Sequence, residues 1–138
     1  MNAPTPRKFY SLGFSETANG LWDRPDRLRF FDNLPKYPTI ARGAGLSLCG
    51  ASFGDNVSSV DMQKFNRILS FDDINGIITV EAGASLGKLY KFLAPRGWMV
   101  PVQPGYPDIT IGGCIAANVH GKNPLNMVVL DNGFKKSN

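Results

Sequence analysis

Histidine occurs once in these 138 residues and cysteine only twice. Cys49 and Cys114 stand too far apart for the ligand spacing of a metal cluster or a redox Cys-x-x-Cys, so no metal site is expected. A disulfide between them stays open, although reduced thiols are the default. No apolar run has the length of a signal or membrane-spanning segment, which leaves the cytoplasm by elimination. The net charge of +4 is mild and spread out. Its densest group, Arg24, Arg27 and Arg29, reads either as a seat for an anionic partner or as a solvated helix face. Basic residues nowhere interleave with aromatics as on a nucleic-acid surface, so no nucleic-acid partner is expected. Internal repeats and low-complexity tracts are missing too. A hydrophobic share of 43% in 138 residues suits one modest domain, able to bury about two-thirds of the surface its unfolded chain exposes.

Glycine, by contrast, is plentiful, and two glycine stretches carry the information. Residues 110–123 read Thr-Ile-Gly-Gly-Cys-Ile-Ala-Ala-Asn-Val-His-Gly-Lys-Asn, after a Pro104-Gly105 turn. Adjacent glycines followed by small residues describe a short helix whose bare amides and positive dipole end seat a phosphate or an electron-rich ring. His120 and Lys122 add a titratable donor and a fixed positive charge; alternatively, this is a glycine turn with an incidental histidine. Upstream, residues 40–50 read Ile-Ala-Arg-Gly-Ala-Gly-Leu-Ser-Leu-Cys-Gly. They follow an apolar run, residues 37–41, expected to be a buried strand. Strand, glycines, then hydroxyl residues describe a loop whose amides wrap a pyrophosphate. The Rossmann fingerprint fails, because Leu48 occupies its third glycine position, and a Walker loop is absent. Either loop alone is readable as a plain turn. Together they point to a dinucleotide held between them.

The residues Arg42-Gly-x-Gly-x-Ser47, Pro104-Gly105, Thr110-x-Gly112-Gly113-x-Ile115-Ala116 and His120-Gly121-Lys122-Asn123 resemble the flavin domain of the vanillyl-alcohol-oxidase superfamily. Within it the likeness is nearest to the decaprenylphosphoryl-ribose oxidase and aldonolactone or alditol oxidase branch. The likeness implies FAD as cofactor, contacted by Ala41, Arg42, Gly43, Ala44, Gly45, Leu46 and Ser47 from the first loop. From the second it implies Gly105, Thr110, Ile111, Gly112, Gly113, Asn118, His120, Gly121, Lys122 and Asn123. Some members bond the flavin covalently through a histidine after Arg-Gly-x-Gly. Leu46 holds that position here, and an alkyl chain cannot attack the flavin methyl group, so noncovalent FAD is expected. Arg42 reads as a pyrophosphate counter-charge or as the partner of a nearby carboxylate. Residues 50–56 suit a backbone wrapped around the adenosine end, or a plain surface loop. Lys122 would stabilise charge on a reduced flavin. Trp98 and Tyr106 read as core or rim packing. No catalytic residue is assigned.

Coarse element reading gives an irregular arm over residues 1–22. A helix opens at Pro25 under an Asp23 cap and buries Leu28, Phe31 and Leu34. A short strand is expected around Val60, and two strands, residues 67–71 and 77–81, flank an Asn75-Gly76 hairpin turn. A Ser85-capped helix carries Leu86, Leu89, Phe92 and Leu93 on one face and ends near Gly97, with Arg96 at its negative end. A strand over residues 98–102 follows. The fold class is α+β: by resemblance, the N-terminal part of the two-subdomain FAD-binding PCMH-type fold, small sheets flanked by helices, with residues 23–123 forming the FAD-binding domain.

The family carries, after His-Gly-Lys-Asn, a segment resembling Gly-Ser/Thr-Phe-x-x-His-Val, and residues 126–138 do not. With each codon started on the last base of the present one, Met127-Val128 must give Gly, and neighbouring junctions permit Tyr or His, Phe and Val. A frameshift near Leu125 or Asn126 is therefore expected, with residues 124–138 a non-native tail. The intact enzyme would oxidise a CH–OH group of a sugar-type or polyol substrate; this chain alone is expected to be inactive. The alternatives are a stand-alone nucleotide-binding module, or an NAD(P)-dependent Rossmann reductase, disfavoured by Leu48 and the hairpin.

Overall fold

The structure, a computed structural model, describes residues 3–121 and 135–136. The chain is α+β and divides into two compact units, Met1–Lys64 and Phe65–Asn138. The second gathers Ala84, Leu86, Leu89, Leu93, Trp98, Val100 and Cys114 into a core, and the first buries Phe9, Ala18, Phe30 and Val60.

The first unit is a four-stranded sheet in the order β1-β2-β4-β3. β1 (Thr5–Tyr10) and β2 (Thr17–Asp23) form an antiparallel hairpin, with Thr5 opposite Trp22 and Tyr10 opposite Thr17. The expected irregular arm is therefore corrected. Only Phe9 of β1 is buried, so the apolar alternation that marks a half-buried strand is missing from its sequence. β4 (Ser58–Asp61) lies between β2 and β3 (Thr39–Arg42), parallel to both, and every residue in it is buried. β3 is an edge strand and only half-buried, with Ala41 exposed, which corrects the buried strand expected there. The Pro25 helix is instead one 3-10 segment, Leu28–Asn33, that buries Phe30 alone; Leu28 and Leu34 are exposed. Two prolines, Pro25 and Pro35, and the absence of a side-chain cap leave room for no more. In the arginine group, Arg24 Nε lies 3.0 Å from the buried Asp61 Oδ2, an ion pair not aligned as a hydrogen bond. Arg27 and Asp26 face solvent.

The second unit starts with the hairpin β5 (Ile68–Asp72) and β6 (Ile77–Val80). Gly76 takes φ 68° at its turn, its N–H donating to Asp72 O at 2.8 Å. Asp72 Oδ1 accepts the N–H groups of Ile74 and Asn75, and Oδ2 accepts Asn75 Nδ2. Those hydrogen bonds hold the Asp72 carboxyl below its ordinary range. Helix α1 (Leu86–Leu93) begins as expected at Ser85, whose Oγ accepts the Lys88 N–H. A 3-10 turn, Ala94–Arg96, closes it on Gly97 at φ 73°, and Arg96 Nη1 donates to Phe92 O. Leu86, Leu89 and Leu93 bury one face against Trp98, Val100 and Cys114. β7 is only Trp98–Met99, shorter than the expected strand over residues 98–102; it pairs with β8 (Lys135–Lys136). Apart from those two residues, the tail expected to be non-native falls outside the described residues. Helix α2 (Ile111–Ala116) ends the described core.

Candidate functional site

The parallel pairing of β3 and β4 dictates the geometry of the first glycine loop. Parallel neighbours need a crossover connection, and here residues 43–57 supply it without a helix, leaving the end of β3 at Arg42. Among the described residues, the backbone N–H groups of residues 43–49 donate to no protein acceptor. Gly43, Ala44, Gly45, Leu46 and Ser47 are half-buried, while Leu48 and Cys49 are exposed. A row of free donors on one loop is the arrangement that receives a doubly charged anion such as a pyrophosphate.

Arg42 underpins this loop. Its guanidinium carbon lies 5.3 and 5.6 Å from the ring centroids of Phe9 and Phe53, which stack on one another. Nη1 donates to Ser52 Oγ at 2.8 Å. Burial first, then the charge of Arg7, pulls the Arg42 pKa down, against the pull of Asp61. A guanidinium is so strongly basic that the group still carries its charge at neutral pH. It thus puts a held cation beneath the donor row. Gly45, at φ 76°, passes directly over it: a Cβ there would meet Arg42 Nη2 and lie 3.1 Å from Cζ. Sequence reasoning flagged Arg42 and missed what holds it, because Phe9 lies on a strand that was not anticipated.

A cavity of about 450 Å³ elsewhere on this unit is lined by Pro6, Arg7, Lys8, Asn19, Gly20, Leu21 and Asn56. It shares no residue with the donor row at residues 43–49 and is open to solvent.

In the second unit the glycine pair behaves differently from the expectation of bare amides. Thr110 caps α2, its Oγ1 accepting the Gly113 N–H at 3.2 Å. The Ile111 and Gly112 N–H groups donate to Ala84 O and Ala82 O, both at 2.8 Å, and Cys114 N–H donates to Thr110 O. Every early amide of this short helix is thereby taken by protein. A Cβ on Gly112 would sit 3.0 Å from both Ala82 Cβ and Ala82 O, so glycine here serves close packing of backbone on backbone. Gly121 has the same reason, its Cβ position lying 2.5 Å from Gln103 O.

What remains accessible is the C-terminal side of α2. Ile115, Ala116, Ala117, Asn118, His120 and Gly121 are exposed, with Asn118 at φ 46°. Gly105 is exposed, and a Cβ there would meet nothing within 4 Å. Lys122 and Asn123 lie outside the described residues. Trp98 belongs to the core and Tyr106 is exposed. Both cysteines are free, Cys49 exposed and Cys114 buried, and burial pushes the Cys114 thiol up to about 11. The two glycine stretches thus fall in different units. The described residues contain no group of His, Cys, Asp and Glu able to hold a metal, and no helix long and apolar enough to cross a membrane.

Comparison with known proteins gives consistent relatives. A family model described as "FAD binding domain" matches residues 32–127. Decaprenylphosphoryl-beta-D-ribose oxidase of Mycolicibacterium smegmatis is 43% identical over 89 residues, covering 61% of this chain and 18% of that protein. D-lactate dehydrogenase [cytochrome] 1, mitochondrial, of Saccharomyces cerevisiae is 37% identical over 91 residues, covering 62% and 15%. Among solved structures, a solvent-stable cholesterol oxidase superposes with a TM-score of 0.70 at 21% identity, over 86% of this chain and 25% of that one. The chain spans less than a fifth of the length of these two curated relatives.

Proposed function

The chain belongs to the FAD binding domain family, and from that premise we propose that it holds FAD noncovalently for the oxidation of a CH–OH group. The donor row at residues 43–49 above the Arg42 cation carries this reading. The pyrophosphate fits there: seven consecutive N–H groups without a protein acceptor face a ligand that brings only acceptors. Arg42 supplies the counter-charge from below, restrained by Ser52 and two aromatic rings rather than reaching out freely.

Residues 105–121 offer a second set of contacts of a different kind. Thr110, Ile111, Gly112 and Gly113 act as scaffold, since their amides are spoken for. The exposed residues Ile115, Ala116, Asn118, His120 and Gly121 would lie against the ring system, with His120 as edge donor. Lys122 and Asn123 complete the proposed set. When bound, FAD would supply the acceptor for the hydride of the alcohol carbon, the hydroxyl proton leaving separately. The residues of this chain bind and orient it.

Leu46 carries no nucleophile, so acid or heat releases the flavin and leaves colourless protein. Flavin that stays with the polypeptide through denaturing electrophoresis would overturn this. Titrating purified protein with FAD tests binding itself: quenching of flavin fluorescence is expected, and unchanged fluorescence sinks the reading.

For the substrate we favour a sugar-type alcohol. Its support is the 43% identity to a protein named as a ribose oxidase. A 2-hydroxy acid is the second reading, supported by the relative named D-lactate dehydrogenase at 37%. Bleaching of the flavin band when the FAD-loaded intact enzyme meets each class decides between them. The compartment proposed is the cytoplasm, supported by two free thiols and tested by cell fractionation.

A further inference from the structure

The turn between β1 and β2, residues 11–16, reaches the glycine loop at three successive points. Leu12 N–H donates to Ser47 O at 2.8 Å, Ser15 Oγ donates to Leu48 O at 3.3 Å, and Glu16 Oε2 accepts the Gly50 N–H at 2.6 Å. The turn is braced from within. Ser11, 4% exposed, accepts the Glu16 N–H on its Oγ, its own N–H donates to Glu16 O, and its Oγ lies 3.1 Å from Ser15 Oγ.

These contacts do more than hold the loop in place. In a trans peptide the C=O of one residue and the N–H of the next lie in one plane and point opposite ways. Drawing Ser47 O toward Leu12 therefore turns the Leu48 N–H away from the turn, and drawing Leu48 O toward Ser15 does the same for Cys49 N–H. Glu16 then takes Gly50 N–H out of the row, so the donors end at residue 49. The geometry points to the β1–β2 turn as a clamp that sets the direction and the end of the phosphate-binding donor row, with Glu16 its positioning residue.

This rests on the FAD reading above. The test is FAD titration, followed by flavin fluorescence, on the full chain and its variants, with thermal midpoints measured alongside. Glu16→Ala frees Gly50 N–H and is expected to weaken FAD affinity about tenfold, the weight of one charge-assisted hydrogen bond. Glu16→Gln keeps an acceptor oxygen and is expected to stay within about threefold of wild type, a rescue that bulk loss of structure would not give. Wild-type affinity in a folded Glu16→Ala overturns the clamp while leaving the FAD reading intact, and so does equal weakening by Ala and Gln. Absence of FAD binding by the wild type overturns both. If Glu16→Ala does not fold, Ser15→Ala decides: affinity lowered about threefold, as for one neutral hydrogen bond, supports the clamp, and unchanged affinity overturns it.

Discussion

Gly45 and Gly112 looked alike in the sequence, both as places where a ligand would press on backbone. Their neighbours separate them. Gly45 combines a left-handed φ of 76° with the Arg42 guanidinium beneath it, a side-chain end that cannot swing aside while Ser52 and two phenyl rings hold it. Gly112 presses on Ala82. Gly45→Val is therefore expected to weaken FAD binding about tenfold or more, since the left-handed conformation alone costs a non-glycine residue about 1–2 kcal/mol. Gly112→Val is expected to act on the fold, costing about 1–3 kcal/mol through overpacking and the strained Ala82 contact. FAD titration and urea denaturation of both variants read the contrast. If Gly112→Val is as stable as wild type, the packing account of that glycine is wrong. Sequence could not tell these roles apart, because Gly112 packs on the distant Ala82 and Gly45 on an Arg42 that is held by the distant Phe9 and by Ser52.

Elements with their own punctuation were legible, and those shaped by distant partners were not. Ser85, Arg96 and Gly97 bracket α1 through contacts within a few residues, and Asn75-Gly76 turns its hairpin the same way. β1 carried no such signal: its strand character comes from the pairing with β2, and four of its side chains face solvent before Phe9. β7 was overestimated because an apolar run looks like a strand even where only Trp98 and Met99 find a partner. Of the candidate site, the glycine loop and its strand were readable; the pairing of the Ile111 and Gly112 amides was not, since their acceptors, Ala84 O and Ala82 O, are remote in sequence. The cap on α2 gives a prediction at this scale. Thr110→Ala removes the acceptor for Gly113 N–H and should cost ~1 kcal/mol of stability, seen as a lower urea midpoint. An unchanged midpoint would mean that the bonds to Ala82 and Ala84 alone fix the helix start.

For the molecule as a whole, pH dependence at the alkaline end has an identifiable contributor in the second unit. The Cys114 thiol titrates near 9.0 when unperturbed and at about 11 in the fold, because burial disfavours the thiolate. The unfolded chain therefore loses this proton first. Its stabilising contribution is complete below pH 9 and is lost as pH rises toward 11. Wild type should lose stability across that window faster than Cys114→Ala, with urea midpoints at stepped pH as the measure. Parallel slopes for the two proteins would remove Cys114 from the account.

The strand order of the first unit also bears on how that unit can come into being. β4 is an inner strand in space and the last in sequence, and both β2 and β3 pair with it. As the chain leaves the ribosome, β3 emerges before β4, the strand it pairs with, and the glycine loop follows it with nothing to hang from. Pairings between segments so distant in sequence are closed late and at an entropic cost. Until Ser58–Asp61 has emerged and inserted, the proposed anion seat is not assembled, so the nascent chain gains that part of the binding surface in one step, ahead of residues 105–123.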